Sequence, residues 1–113
     1  MIRFVQRAEK EGYSTIIFNP NLNKYLGASI DGSESMEKHC QTVWNQYITL
    51  KSSTSTPAKK LYIIAHSAGG YCTYGLFNNN WDEFNRRVHG LALTDSFFGN
   101  ADSQSKKCFM RTV

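Results

Sequence analysis

The feature that most constrains this fold is an apolar stretch that runs through a turn of small residues into a helical pattern. Leu61 to Ala65 is apolar, β-branched and aromatic, which is typical of a buried strand. Residues 66–70 read His-Ser-Ala-Gly-Gly, and Tyr71 to Asn78 follow with the composition of a helix. A second buried strand after that helix would complete a unit of strand, helix and strand. The sequence therefore predicts an α/β fold with a parallel sheet and flanking helices.

The turn matches the nucleophile-elbow pattern G-x-S-x-G, with Ala65 in the first position. A serine on such a turn has a strained backbone, so the residues two before and two after it must be small, as Ala65 and Gly69 are. Gly70 gives the helix room to pack against the strand. The turn would hold the Ser67 hydroxyl above the sheet, and the Ala68 N–H would be one oxyanion donor. The alternative is a glycine-rich helix start that Ser67 caps.

A catalytic serine also needs a base and an acid that orients the base, in the chain order Ser, Asp or Glu, His. Asp95 is the candidate acid because it follows the last predicted strand; its alternative role is to cap the next turn. No histidine follows it. His66 lies inside the elbow but is expected to be packed or at the surface, while His39 on a helix and His89 at a strand start hold ordinary positions. The sequence thus predicts nucleophile and acid without a base.

The rest of the chain alternates predicted helices, strands and polar loops within one domain, residues 1–98, followed by a polar, basic and loosely ordered end, residues 99–113. An apolar stripe predicts a helix from Met36 to Leu50, which Ser33 or Ser35 could cap. The other predicted elements are a helix over residues 1–11 ended by Gly12, a buried strand Tyr13–Phe18, a loop Asn19–Gly32, a surface loop over residues 52–57, a short helical or turn segment Trp81–Arg87 and a strand Val88–Thr94.

Composition excludes several classes of protein. No apolar run approaches the length of a membrane span, and the first residues lack the apolar core of a secretory signal. The three cysteines are an odd number without a C-x-x-C pair, which favours a reducing intracellular compartment. Cys40 and Cys72 are expected to be small buried hydrophobic residues. Scattered cysteines and histidines predict no metal site, and no cofactor is expected.

The net charge of +4 is mildly basic. The basic residues that could contact nucleic-acid phosphates occur as short pairs, which are typical of a solvated surface. Direct nucleic-acid binding is therefore the least favoured function. These pairs are Lys59-Lys60, Arg86-Arg87 and Lys106-Lys107, with Arg111 nearby.

Taken together, several segments from about Glu11 to Ser96 resemble the Argonaute-binding (Arb-two) domain family. The order and spacing of these segments agree over roughly three-quarters of the chain. A generic lipase or esterase would share the elbow but not the tryptophan helix or the final Thr-Asp-Ser. The segments are the strand ending Asn19-Pro-Asn21, Gly32-Ser-x-Ser-x-Glu37-x-His39, Val43-Trp44-x-x-Tyr47-Ile48, Ala65-His-Ser-x-Gly-Gly70 and Leu91-Ala-Leu-Thr-Asp-Ser96.

The resemblance implies an α/β-hydrolase-like fold and a role in small-RNA silencing, chromatin or splicing regulation, in the nucleus or cytoplasm, through Argonaute or chromatin partners. It places a candidate catalytic serine at Ser67. In that fold Tyr13–Phe18 would be the fourth strand and Leu61–Ala65 the fifth, with a third strand between them in space. That strand would precede residue 1, so the resemblance predicts a partial domain. Unpaired strand edges would then favour self-association.

Two functions of different classes follow. The first is a non-catalytic or weakly catalytic interaction module, which the absence of a base after Asp95 favours. The alternative is a serine hydrolase acting on an ester, thioester or amide, with Ser67 as nucleophile and a histidine supplied from outside these 113 residues.

Overall fold

A computed structural model describes residues 2–51 and 58–96. Within them the chain forms, in order, α1 (Ile2–Lys10), β1 (Lys24–Tyr25), β2 (Ala28–Ser29), α2 (Met36–Val43), β3 (Leu61–His66), α3 (Gly69–Asn79), α4 (Trp81–Arg87) and β4 (Val88–Thr94). The fold is mixed α/β, as predicted. The predicted loop over residues 52–57 and the predicted loose end at 99–113 lie outside the described residues.

The larger sheet of the described part of the chain is a parallel pair, β3 and β4. Leu61 pairs with Val88 at one end and His66 with Thr94 at the other, so both strands finish at the same edge. The chain between them forms α3 and α4, and α3 packs on β3. Both strands and the short α4 confirm the sequence predictions. A parallel pair with a helical crossover places the β3–α3 turn at the carboxyl edge of the sheet.

The predicted strand Tyr13–Phe18 is wrong for the described chain, where this segment has no regular secondary structure and belongs to neither sheet. The Tyr13 ring meets the Tyr62 ring edge-on at 5.8 Å, yet β3 exchanges its ladder hydrogen bonds with β4 alone. Ile16 and Ile17 are exposed rather than buried. A β-branched run becomes a strand only where a neighbouring strand satisfies its backbone.

The predicted helix from Met36 to Leu50 is present but changes its hydrogen-bond pattern part-way. Ser35 begins α2, because its hydroxyl accepts the Lys38 N–H at 3.1 Å. From Trp44 to Ile48 the helix continues as a π-helical turn, closed by the Thr49 N–H on the Trp44 carbonyl at 2.8 Å. Trp44 and Ile48 remain buried, but the helix ends at Ile48, and Tyr47 and Leu50 of the predicted stripe are exposed, so only part of the stripe faces the core.

The core lies between α2 with its π-helical turn and the unit formed by β3, α3, α4 and β4. Trp44 stacks on Phe84, with ring centroids 6.2 Å apart and planes 19° apart, and Phe77 meets Phe84 edge-on at 5.5 Å. The buried apolar cluster comprises Cys40, Trp44, Ile48, Cys72, Leu76, Phe77, Phe84 and Val88. The expectation that Cys40 and Cys72 are buried is confirmed.

A buried ion pair joins α4 to the end of the π-helical turn. The Glu83 carboxylate accepts hydrogen bonds from Thr49 Oγ1 at 2.7 Å, the Leu50 N–H at 2.9 Å and Arg87 Nη1 at 2.7 Å. Arg87 also donates to the carbonyls of Ile48 and Ala58. Burial by itself raises the pKa of Glu83, but these three donors and the guanidinium charge outweigh it and hold the pKa below its ordinary value.

Candidate functional site

The turn between β3 and α3 places Ser67 in an unusual backbone conformation. β3 ends at His66, α3 begins at Gly69, and Ser67 between them has φ of 53°. This left-handed region is uncommon for residues other than glycine and costs on the order of 1–3 kcal/mol when the structure enforces it. Two backbone bonds enforce it here: the Ser67 N–H donates to the Thr94 carbonyl at 3.0 Å, and the Gly70 N–H donates to the Ser67 carbonyl at 3.1 Å.

The small residues around Ser67 are required by close packing. A Cβ added at Gly69 would lie 3.2 Å from Cβ of Ala65, closer than such atoms ordinarily approach. Gly70 and Ala65 are both buried, so neither position has space for a larger side chain. The structure thus gives a physical reason for the Ala-x-Ser-x-Gly spacing: the strand and the helix pass each other at contact distance on either side of the turn.

Ser67 does not cap α3. The helix takes Ala68 as its N-cap residue, and no side chain makes a capping hydrogen bond there. Within residues 2–51 and 58–96, Ser67 contributes hydrogen bonds through its backbone. The alternative that Ser67 caps the helix is therefore wrong, and capping does not explain why a serine occupies this strained position.

The carboxyl end of β4 brings Asp95 to the same edge of the sheet. Asp95 is exposed and has φ of 47°, so a second left-handed residue follows the second strand. The bond from the Ser67 N–H to Thr94 fixes this turn beside the first, and Ser96 Oγ donates to the Ala65 carbonyl at 3.4 Å. Ser67 and Asp95 are thus neighbours at the sheet edge, while the roles of Asp95 as an acid and of Ala68 as an oxyanion donor stay predictions.

The histidines of the described chain are occupied elsewhere or stand apart. His66 is exposed, as predicted, with Nδ1 3.0 Å from Thr94 Oγ1. His89 lies exposed on β4, at the end of the strand away from the Ser67 turn. His39 lies on α2 and contacts the loop that precedes it.

His39 holds the loop over residues 19–33 against α2, a role that sequence reasoning missed. The Asn19 N–H donates to Nε2 of His39 at 3.1 Å, so Nδ1 carries the proton and donates to Ser33 Oγ, also at 3.1 Å. The buried Ser33 hydroxyl then donates to the Leu22 carbonyl at 2.7 Å. The available signal was the joint occurrence of Ser33 and His39 in one segment of the family resemblance.

The loop that His39 holds presents a short hairpin, β1 with β2, to solvent. Its two turn residues, Leu26 and Gly27, have φ of 51° and 81°, and Leu26 is 90% exposed. Two-residue hairpin turns with positive φ at both positions favour Asn-Gly or Gly-Gly. A leucine here is therefore both strained and exposed.

Two further properties of the described residues bear on function. In residues 2–51 and 58–96, His, Cys, Asp and Glu side chains form no group of three or more placed to hold a metal ion. Across the same residues, no helix combines the length and apolarity that crossing a membrane requires.

A comparison with known protein families matches the part of the chain that contains these features. A family model described as the Arb2 domain matches residues 23–112, which include the hairpin, α2 and the Ser67 turn. The chain belongs to the Arb2 domain family.

Two curated relatives are similar to this Arb2 domain chain. A FAM172 family protein homolog of Caenorhabditis elegans is 30% identical over 95 residues, which cover 84% of this chain and 28% of that protein. A cotranscriptional regulator ARB2A homolog of Dictyostelium discoideum is 40% identical over 68 residues, covering 60% of this chain and 16% of that protein. The chain therefore spans less than a third of either relative. No solved structure matches it.

Proposed function

We propose that this Arb2 domain chain is part of an α/β-hydrolase-like regulatory module that acts in co-transcriptional or small-RNA-directed control through protein contacts, with little or no catalysis of its own. Family membership and the name of the Dictyostelium relative support the regulatory role. The partner would be an Argonaute or chromatin protein, and the place of action the nucleus or cytoplasm.

The observation that carries the proposal is the state of the Ser67 turn. Ser67 has the strained backbone of a nucleophile elbow, with φ of 53° and small residues at Ala65 and Gly69. His66, the histidine nearest to it in sequence, lies beside Thr94 instead, and His39 is held by Asn19 and Ser33. A serine without a base is a weak nucleophile. The geometry therefore favours an elbow retained as part of a scaffold.

The second candidate, a serine hydrolase, is supported by the same strain. Left-handed non-glycine residues persist where function or packing requires them, and here two stand side by side, at Ser67 and Asp95. In this alternative Ala68 N–H stabilises the oxyanion, Asp95 orients the base and a histidine comes from outside the chain.

Intact-mass analysis after treatment with a fluorophosphonate tests whether Ser67 is activated within these 113 residues. The folded wild type, Ser67→Ala and the matched exposed-serine control Ser29→Ala would be incubated with the probe side by side. The interaction-module proposal predicts no adduct on any of them. A single adduct on wild type and Ser29→Ala that is absent from Ser67→Ala would show an activated serine and favour the hydrolase.

The regulatory half of the proposal is tested by binding. Purified Argonaute and purified core histones would be passed over the immobilised chain, with its heat-unfolded form as the control for non-specific capture. Retention by the folded chain alone supports the proposal. No retention of either, at concentrations up to the micromolar range typical of transient contacts, would contradict the proposed partners.

A further inference from the structure

Two buried thiols face each other where α2 packs on α3. Cys40 of α2 and Cys72 of α3 are 4% and 5% exposed, and both are free. Both belong to one buried cluster, on the faces that α2 and α3 turn towards each other. Neither belongs to the Ser67 site, and an apolar pair of alanines or valines would fill the same space without a reactive group.

Polar contacts between α2 and α3 lie on both sides of the two cysteines. On one side, the Tyr71 hydroxyl donates to the Glu37 carboxylate. On the other, Gln41 and Asn80 exchange amide hydrogen bonds of 3.1 and 3.0 Å. These bonds lie directly before Cys72 and directly after Cys40 in sequence. The register of α2 on α3 is therefore set by polar contacts that bracket the thiols, and both thiols lie on the same stretch of the helix interface.

The two thiols differ in chemistry. The hydrogen bond from Cys40 lowers the pKa of Cys72, although burial and the nearby Glu37 act in the opposite direction. The same hydrogen bond, together with burial, raises the pKa of Cys40. Cys72 also lies in the first turn of α3, where the helix dipole favours a negative charge. Cys72 is thus the thiol that ionises first, with Cys40 as its hydrogen-bond donor.

We propose that Cys40 and Cys72 form a reversible disulfide when the domain meets a hydroperoxide. The Cys72 thiolate attacks one oxygen of hydrogen peroxide, giving a sulfenic acid and releasing the other oxygen as water. The Cys40 sulfur then attacks the Cys72 sulfur, forming the S–S bond and releasing the second water. Two thiols are oxidised by two electrons, the peroxide is reduced by two, and both thiol protons leave in the water formed.

The disulfide would link α2, which leads into the π-helical turn at Trp44, to α3, which begins after the Ser67 turn. It closes a loop of about 30 residues, and a cross-link of that size restricts the unfolded chain strongly. The expected consequence is a rise in melting temperature of roughly 10 °C on oxidation. The oxidised chain would hold α2 and α3 together under conditions that loosen the reduced form.

The test uses the full chain with Cys108→Ser, so that Cys40 and Cys72 are its remaining cysteines. The protein is treated with hydrogen peroxide at neutral pH, denatured, alkylated with iodoacetamide and weighed. The proposal predicts a monomer 2 Da lighter than the reduced chain that takes up no alkyl group and regains two sites after dithiothreitol. The same treatment in urea is the control, and it must close the bond at least tenfold more slowly, because the unfolded chain lacks the bracketing contacts.

Single substitutions in the Cys108→Ser background assign the order of attack and keep the proposal falsifiable. Cys40→Ala should leave a Cys72 sulfenic acid that dimedone traps, whereas Cys72→Ala should leave Cys40 unreactive over the same time. Trapping of the two variants to equal extents would overturn the assigned order. A folded Cys108→Ser protein that stays fully alkylatable, that forms only intermolecular disulfides, or that gains 32 Da as a sulfinic acid would overturn the proposal.

Discussion

The buried Glu83–Arg87 pair permits a sharp prediction because the same chain carries an exposed pair of the same spacing. Side chains of Glu83 and Arg87 are 9% and 4% exposed, whereas those of Glu11 and Arg7 are 51% and 76% exposed. Both pairs are four residues apart and their charged atoms lie 2.7 and 2.8 Å apart. Comparing Glu83→Gln with Glu11→Gln therefore varies burial while keeping the chemistry of the substitution constant.

Glu83→Gln removes the charge that balances Arg87 and replaces one accepting oxygen by a donor. Thr49 Oγ1 and the Leu50 N–H both donate to this carboxylate, so the amide leaves one of them, or Arg87, without its acceptor. Breaking a buried pair by removing one partner costs about 3–5 kcal/mol. With a urea dependence of about 1.5 kcal/mol per molar, the unfolding midpoint should fall by roughly 2–3 M. Glu11→Gln should lower the free energy of unfolding by less than about 0.5 kcal/mol.

Tryptophan fluorescence during urea unfolding is the natural assay, because the Trp44 ring stacks on Phe84, the neighbour of Glu83. Thr49→Val supplies a graded third variant: it removes one donor, keeps the ion pair and should cost about 1 kcal/mol. Equal midpoint shifts for Glu83→Gln and Glu11→Gln would refute the reasoning, since the buried charge would then contribute no more than the exposed one.

Three further predictions concern the backbone and the pH dependence of stability. The free energy of unfolding of Ser67→Gly, measured by calorimetry, should exceed that of Ser67→Ala by about 1 kcal/mol, because glycine alone adopts φ of 53° freely. Equal stabilities of the two variants would contradict backbone strain at this position. Gly90→Ala places a Cβ 2.8 Å from the Tyr62 ring and should cost about 1–3 kcal/mol, most of it recovered in the double variant with Tyr62→Ala. The lowered pKa of Glu83 stabilises the fold above the carboxyl's ordinary pKa of 4.5, so in acid titration the wild type should lose stability as the pH falls below that value, and Glu83→Gln should not share this loss.

Periodicity predicted most of the regular structure because the signal is local. The apolar run of β3, the extent of α4 at Trp81–Arg87 and that of β4 at Val88–Thr94 all follow from residues within each element. The segment Tyr13–Phe18 has an equally strong local signal and still forms no strand in the described chain. Whether a β-branched segment pairs depends on a neighbour elsewhere in the sequence, which periodicity does not encode.

The candidate site also combines features that the local sequence predicts with features that depend on distant residues. The Ala-x-Ser-x-Gly spacing predicted a tight turn at Ser67, and the left-handed φ and the Gly69–Ala65 approach agree with it. The loop-holding role of His39 was missed, because local periodicity says nothing about its partner Asn19, which lies 20 residues away. Likewise a Glu and an Arg four positions apart are typical of a solvated helix face, and only the end of the π-helical turn buries Glu83.

The direct crossover from β3 through α3 and α4 to β4 has a consequence for the order in which this chain folds. Residues 61–94 contain both strands of the parallel pair and, in α3 and α4, the helices between them, so their contacts close short loops before α2 must dock. Five of the eight buried core residues lie in this unit, from Cys72 to Val88. Such a unit is suited to act as the nucleus, with Trp44 and Ile48 adding their side chains to a core already half assembled. The amino-terminal segment through Phe18, which contributes no strand to the sheet, would then order last and exchange its amide protons first.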